Sequence, residues 1–351
     1  MKKVIGIGIV ALGIAGFVAF SLARDPQCSG LAAVAASPDG KLVAVGGQNR
    51  VLYILDGASL EVKQRLWIGT RMGTLAFNKD GSRLVLEDEN ESVRILDTKD
   101  WKVVAQVAKA GYVNAAPAAD HMAAREDDWE KPKIVFLSMT DGSRKGFAQI
   151  PDTNSAFALD AEGKKLAVLT AAKEEGEKKV DDAEKPKDLE GLKEKEWIKK
   201  NDGETCKLLL FEVPSGKAIG SFPLWYTSWG DSAELVVSGD TVYVINYENV
   251  CAKIDAKGEI TLFETGNTYN NGRGVSGDRK AFLTGGARDG TYTIVDGLKA
   301  SKFDVDELPG STEYFEGFAF LPDGSGFGVT SSFRIVKISK DGQAEKTVPV
   351  F

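Results

Sequence analysis

From Leu31 onward the chain alternates apolar and polar positions with a period of two, in short runs broken by clusters of Asp, Gly, Ser and Lys. LVAVGG at 42–47, VLYILD at 51–56 and VRILD at 93–97 are examples, rich in β-branched residues and bounded by turn formers. That pattern predicts strands joined by tight turns, not helices. Two segments depart from it: the uncharged run 4–23 and the charged stretch 173–204.

One phrase recurs through the strand-rich region, a short apolar segment, a polar turn and a β-rich run. It reads VAASPDGKLVAVGG at 34–47, LAFNKDGSRLVLED at 75–88, FALDAEGKKLAVLT at 157–170 and FAFLPDGSGFGVTSS at 318–332. Looser copies lie at 115–127, 235–247 and 274–286. The turn acids Asp39, Asp80, Asp120, Glu162, Asp240, Asp278 and Asp323 are spaced 41, 40, 42, 78, 38 and 45 residues apart. The long interval is one period plus an insertion of about 35 residues, so seven units share a period of about 41.

Each unit has a second half of strand, polar turn and strand, as in VLYILDGASLEVKQRL and KLLLFEVPSGKAIGSF. Four short strands make one small twisted sheet, which cannot bury both faces alone. Seven such sheets stacked radially on each other's faces can. The expected fold is all-β: a seven-bladed β-propeller of four-stranded antiparallel blades over 31–351, preceded by one N-terminal apolar helix and a spacer at 24–30. The Pro-Asp-Gly-Lys-Leu phrase at 38–42 and the Ile-Leu-Asp endings at 54–56 and 95–97 resemble WD-repeat and YVTN-type β-propellers of the bacterial exported kind. The full Trp-Asp signature is absent from every unit. The resemblance implies a fold and leaves the role open, because propellers host many unrelated ones. On this phasing unit one begins with its innermost strand near Leu31 and unit seven ends with its outermost near Phe351. The ring then closes without a strand exchanged between the chain ends.

Residues 4–23 hold 20 uncharged positions after Lys2 and Lys3, and Arg24-Asp25-Pro26 closes the run. Twenty helical residues rise about 30 Å, enough to span a hydrocarbon core. The leading lysines favour a cytoplasmic N-terminus, which places everything after Arg24 on the exported side. Two readings stand: an uncleaved membrane anchor, or a signal peptide cut after Ser21-Leu22-Ala23. Export permits disulfides, yet Cys28, Cys206 and Cys251 are an odd set, so at most one internal pair can form. Three unpaired thiols is the simpler expectation.

Composition narrows the function classes. A net charge of −7 offers no basic field for nucleic acid. The single His, His121, removes imidazole clusters for metal or acid–base work, and it falls at a unit's Asp turn, where an exposed turn residue is expected. No P-loop, Gly-x-Ser-x-Gly elbow or His-Glu-x-x-His pattern occurs. The acidic cluster Asp88, Glu89, Asn90 and Glu91 lacks the glycine a calcium loop would need. No cofactor or metal is expected.

Chain direction gathers two sets of loops on one face: those leading into each inner strand, and those joining strands two and three. The lead-in loops carry Arg71, Tyr112, Asn114, Asn154, Trp225, Tyr226, Trp229, Tyr269, Asn270, Asn271, Arg273, Tyr314 and Glu316. Aromatic and Arg side chains at a rim suit binding hot spots, while Trp225 and Trp229 equally suit packing between blades four and five. The insertion 173–204, between strands two and three of blade four, joins this face with nine Lys and twelve acids. Such a composition buries too little surface to order itself; at 187–200 Leu189, Leu192, Trp197 and Ile198 suit one stripe of a short docking helix, and a solvated charged excursion is the other reading. The Asp-Gly turns on the opposite face answer backbone needs alone.

Arg71, Tyr112, Asn154, Arg273 and Glu316 are expected to line the channel mouth, supplying a single carboxylate and no evident general base. The reading that follows is an exported, membrane-anchored, non-catalytic scaffold for a protein partner, without nucleic acid. An enzyme or a sensor of a small anion at the channel mouth is the alternative.

Overall fold

The computed structural model describes residues 30–350, except 127, 129, 152–154, 173–204, 225–232, 247, 307 and 311. The apolar run 4–23, Cys28 and the insertion therefore lie outside the described residues. Among those described, no helix is long and apolar enough to cross a membrane.

Seven four-stranded antiparallel sheets form a seven-bladed propeller. The blades cover 31–67, 72–108, 110–149, 156–224, 234–269, 272–304 and 315–349. Every sheet keeps its strands in sequence order, and among the described residues no strand is exchanged between the chain ends. The turn acids all fall between strands one and two, as the period requires. Asp39 illustrates their work: its carboxylate accepts from Ser37 Oγ at 2.7 Å and from the Lys41 N–H at 3.1 Å. The Ser37 bond, then Lys41, pull that carboxyl down to about 2.

The core is not one mass but seven apolar clusters, one at each interface between neighbouring blades. Period-two alternation feeds two interfaces from one strand. In the second strand of blade two, Arg83–Asp88, Leu84 and Leu86 face blade one while Val85 faces blade three. Ring closure uses the same device. Val34, Val43 and Val45 of blade one pack on Phe327, Val329 and Ile335 of blade seven. Large rings are matched by missing side chains: a Cβ on Gly290 would come within 2.1 Å of the Phe303 ring.

The interface between blades five and six differs. Its apolar cluster is small, and a buried polar network complements it. Asn267 Nδ2 donates to Asn270 Oδ1 at 3.0 Å and to Thr284 Oγ1 at 2.7 Å, while Thr291 Oγ1 donates to Asn267 Oδ1 at 2.7 Å. Asn270 Nδ2 continues the chain to the Asn246 carbonyl at 2.9 Å.

Removing one member of such a network leaves the others buried and unpaired, at about 1–3 kcal/mol for each orphaned group. Asn267→Ala is therefore expected to lower the free energy of urea unfolding by at least about 2 kcal/mol. Phe147→Ala, on the exposed outer strand of blade three, should stay within about 0.5 kcal/mol of the parent.

Candidate functional site

The lead-in face and the channel beneath it are built from the ends of the inner strands. Four large aromatic side chains stand exposed there: Trp67 at 71%, Tyr112 and Tyr269 at 48%, and Tyr314 at 38%. Trp67 ends the outer strand Val62–Trp67 of blade one, and Tyr269 ends the outer strand Ile260–Tyr269 of blade five. Tyr112 lies in the inner strand Ala110–Ala116 of blade three, and Tyr314 precedes the inner strand Phe315–Phe320 of blade seven. They are spread around the ring. Phe147 is the remaining large aromatic so exposed among the described residues, and it belongs to an outer strand. Trp67 sits inside the first lead-in loop, WIGTRMG, and was missing from the sequence-based candidates.

Tyr112 is held from two sides. Its backbone is left-handed, with φ +55°, at a bulge in the inner strand. The N–H groups of Tyr112 and Val113 donate to the Glu87 carboxylate at 2.6 and 3.1 Å. The Arg125 guanidinium lies 3.5 Å from its ring centroid, a cation–π contact. Asn114, by contrast, is engaged between blades: its Oδ1 accepts from the Leu159 N–H of blade four at 2.9 Å.

Asn270 is fully buried in the polar network, so it is a packing residue and not a rim residue. Asn271 is half-buried beside it. The Arg273 Nε donates to the Asn270 carbonyl at 2.8 Å, and its side chain lines the channel. Arg71 does not line the channel, contrary to expectation. It lies half-exposed in the lead-in loop and pairs with Glu89 at 3.4 Å, beside the Arg50–Glu89 contact at 3.9 Å. The acidic cluster is thereby accounted for: Asp88 is buried, accepts from Ser92 Oγ and pairs with Arg94 at 2.8 Å. Among the described residues no group of three His, Cys, Asp or Glu side chains is placed to hold a metal ion. Asn154, Trp197, Trp225, Tyr226 and Trp229 lie outside the described residues.

His121 also departs from expectation. It opens the second strand of blade three, His121–Glu126, and is half-buried, not exposed. The next blade's turn crowds it, with Gly163 placed so that a Cβ would sit 3.1 Å from Nδ1. Cys251 is buried, and burial pushes its thiol up to about 12, which makes it unreactive at neutral pH.

The channel encloses about 980 Å³ and is walled largely by small residues of the inner strands. Its carboxylates number four, Glu87, Glu234, Asp278 and Glu316, where the sequence suggested one. Arg279, in the first turn of blade six, was also unforeseen. Its Nη2 reaches the Ala115 carbonyl of blade three at 2.8 Å, so the side chain crosses from one wall to the opposite one. Glu234 is pushed above the ordinary glutamate value by burial, which outweighs the opposing pull of Arg273 and Arg279. Burial likewise raises Glu316.

No family model matches the chain, and no curated protein matches it.

A raised carboxyl pKa means that the folded state binds the proton more tightly than the unfolded chain. Stability from this group is then fully present below the ordinary value of 4.5 and is lost as pH rises through its folded pKa. Glu234→Gln removes that term. The variant is expected to melt higher than the parent at neutral pH, with the gap shrinking as pH falls toward 4.5 in paired thermal melts.

Proposed function

We propose that this protein is an exported, membrane-anchored β-propeller that serves as a non-catalytic platform for a protein partner, docked on the lead-in face. The observation that carries the reading is the concentration of exposed aromatics on that face: Trp67, Tyr112, Tyr269 and Tyr314 around one rim. Aromatic side chains with polar tips supply much of the energy of protein interfaces, because each buries a large area at little entropic loss. An Asp-turn face built from short hydrogen-bonded turns offers no such anchors.

The sequence adds to the same face. Trp225, Tyr226 and Trp229 belong to the lead-in loop of blade five, and Trp197 belongs to the insertion between strands two and three of blade four. Asn271 and Arg273 supply polar contacts at the rim. Export and anchoring rest on the uncharged run 4–23 behind Lys2 and Lys3. The non-catalytic reading rests on the channel's chemistry, where Glu87 is spent on two backbone N–H groups and the lone histidine is not one of the lining residues.

Cross-linked purification from membranes tests this. The triple replacement Trp67→Ala, Tyr269→Ala and Tyr314→Ala is expected to lose the partner recovered with the parent, by about tenfold or more. Its melting temperature should be nearly unchanged, since each side chain is exposed. Phe147→Ala should retain the partner in full. Loss with Phe147→Ala, or retention by the triple variant and by a variant lacking 173–204, contradicts the assignment. Intact mass of the same sample distinguishes an anchored chain from one shortened by 23 residues, the length up to Ala23.

A further inference from the structure

Each blade ends in an outer strand with no neighbour on its far side. The row of backbone N–H and C=O groups along such an edge is a template for another chain, and folded proteins guard it with charge or proline. Six of the seven outer strands are guarded in this way. Five carry Lys, Arg or Glu, such as Lys63 and Arg65 in Val62–Trp67 and Arg144 and Lys145 in Arg144–Gln149. The sixth, Ala218–Leu224, carries Pro223. The outer strand of blade two, Val103–Ala108, reads Val-Val-Ala-Gln-Val-Ala and has no charge, proline or glycine.

That strand pairs regularly with Ser92–Asp97 from Ala108 back to Ala105, and a bulge at Val104 follows. Val103 and Val104 are left 51% and 49% exposed. The Asp97 N–H donates to the Lys102 carbonyl and the Ala110 N–H to the Glu91 carbonyl, so residues 91, 93, 95 and 97 turn their backbone groups toward the outer strand. Their partners Ala105 and Val107 turn inward to meet them, and Gln106 and Ala108 turn theirs outward. Among the described residues no backbone group bonds to that outer side.

Charge decides what the edge accepts. Exposed lysines bracket the strand, Lys99 and Lys102 before it and Lys109 after it. Lys102 pairs with Asp100 at 2.8 Å, while Lys99 and Lys109 form no ion pair among the described residues. A second copy pairing antiparallel would bring Lys102 of each chain beside Lys109 of the other, and a parallel copy would set identical lysines together. Like charges across a strand pair are destabilising, so the edge is guarded against itself. A strand bounded by acidic residues meets opposite charge at both ends. Only Lys109 separates this strand from Ala110–Ala116, which carries Tyr112, so the edge runs up to the aromatic rim. We propose that the outer edge of Val103–Ala108 binds an extended, acid-flanked segment of a protein partner as a fifth strand of blade two.

Fluorescence anisotropy with the full chain in detergent tests this, using the labelled heptapeptide Glu-Val-Thr-Val-Thr-Val-Glu as probe. The peptide is expected to bind. Lysine at both of its ends, or N-methylation of its three central amides, should weaken binding by about tenfold or more. Gln106→Pro removes one outward N–H and no bond within the blade, so it should weaken binding by about as much and leave the melting temperature nearly unchanged. Absence of binding overturns the proposal, as does equal binding of the lysine-flanked or N-methylated form, or undiminished binding by folded Gln106→Pro. Light scattering that finds the parent dimeric and Gln106→Pro monomeric gives the edge to a second copy and overturns it too. The rim variant lacking Trp67, Tyr269 and Tyr314 keeps this edge and should bind the peptide as the parent does. Loss there would place the peptide on the rim instead, so failure at the edge and failure at the rim are told apart.

Discussion

Everything in this molecule depends on the fact that each blade is apolar on both faces. A four-stranded sheet of such composition has no stable isolated state, because one face or the other would meet water. Neighbouring blades remove that surface, and the requirement is met for all seven only when the last blade meets the first. The cluster joining Val34, Val43 and Val45 to Phe327, Val329 and Ile335 is therefore equivalent to the other six, and needs no exchanged strand. Among the described residues that contact is as apolar as any within the chain, and Lys346 of blade seven adds a hydrogen bond to the Ser59 carbonyl of blade one.

The same constraint divides the surface into two unlike faces. On the Asp-turn face, short turns are fixed by carboxylates that accept from nearby serine hydroxyls, as Asp39, Asp278 and Asp323 do from Ser37, Ser276 and Ser325. On the lead-in face the loops are less uniform in length, and the large exposed aromatics among the described residues collect there. Inner strands rich in Ala and Gly keep the channel open, so groups at their ends converge on it. Position on the ring, and not local sequence, decides which charges meet: Arg279 of blade six finds its acceptor on blade three.

The architecture was legible in the sequence because strand period and Asp-turn spacing are local signals repeated seven times. The rim aromatics followed from chain direction, though Trp67 was passed over within its own loop. The channel's charges were not legible. Glu87 and Glu234 lie in strand-like runs where an acid reads as a solvent-facing position, and Arg279 follows Ser-Gly-Asp in what reads as an exposed turn. A left-handed backbone at Arg279 reverses that direction, and nothing in residue type announces it. Asn270 was mistaken for a rim residue since its partners, Asn267 on the outer strand of blade five and Asn246 just after that blade's second strand, are brought to it only by the fold. His121 was likewise displaced by one position, from the turn into the strand it opens.

The central claim is that partners dock on the lead-in face. Photo-cross-linking from single sites tests it most directly, with the reactive side chain placed at Trp67 or Tyr269 on that face, and at Asp39 or Asp323 on the opposite one. The account expects one discrete cross-linked species from the first pair and none from the second. The same species arising from Asp39 or Asp323, with none from Trp67 or Tyr269, would contradict it.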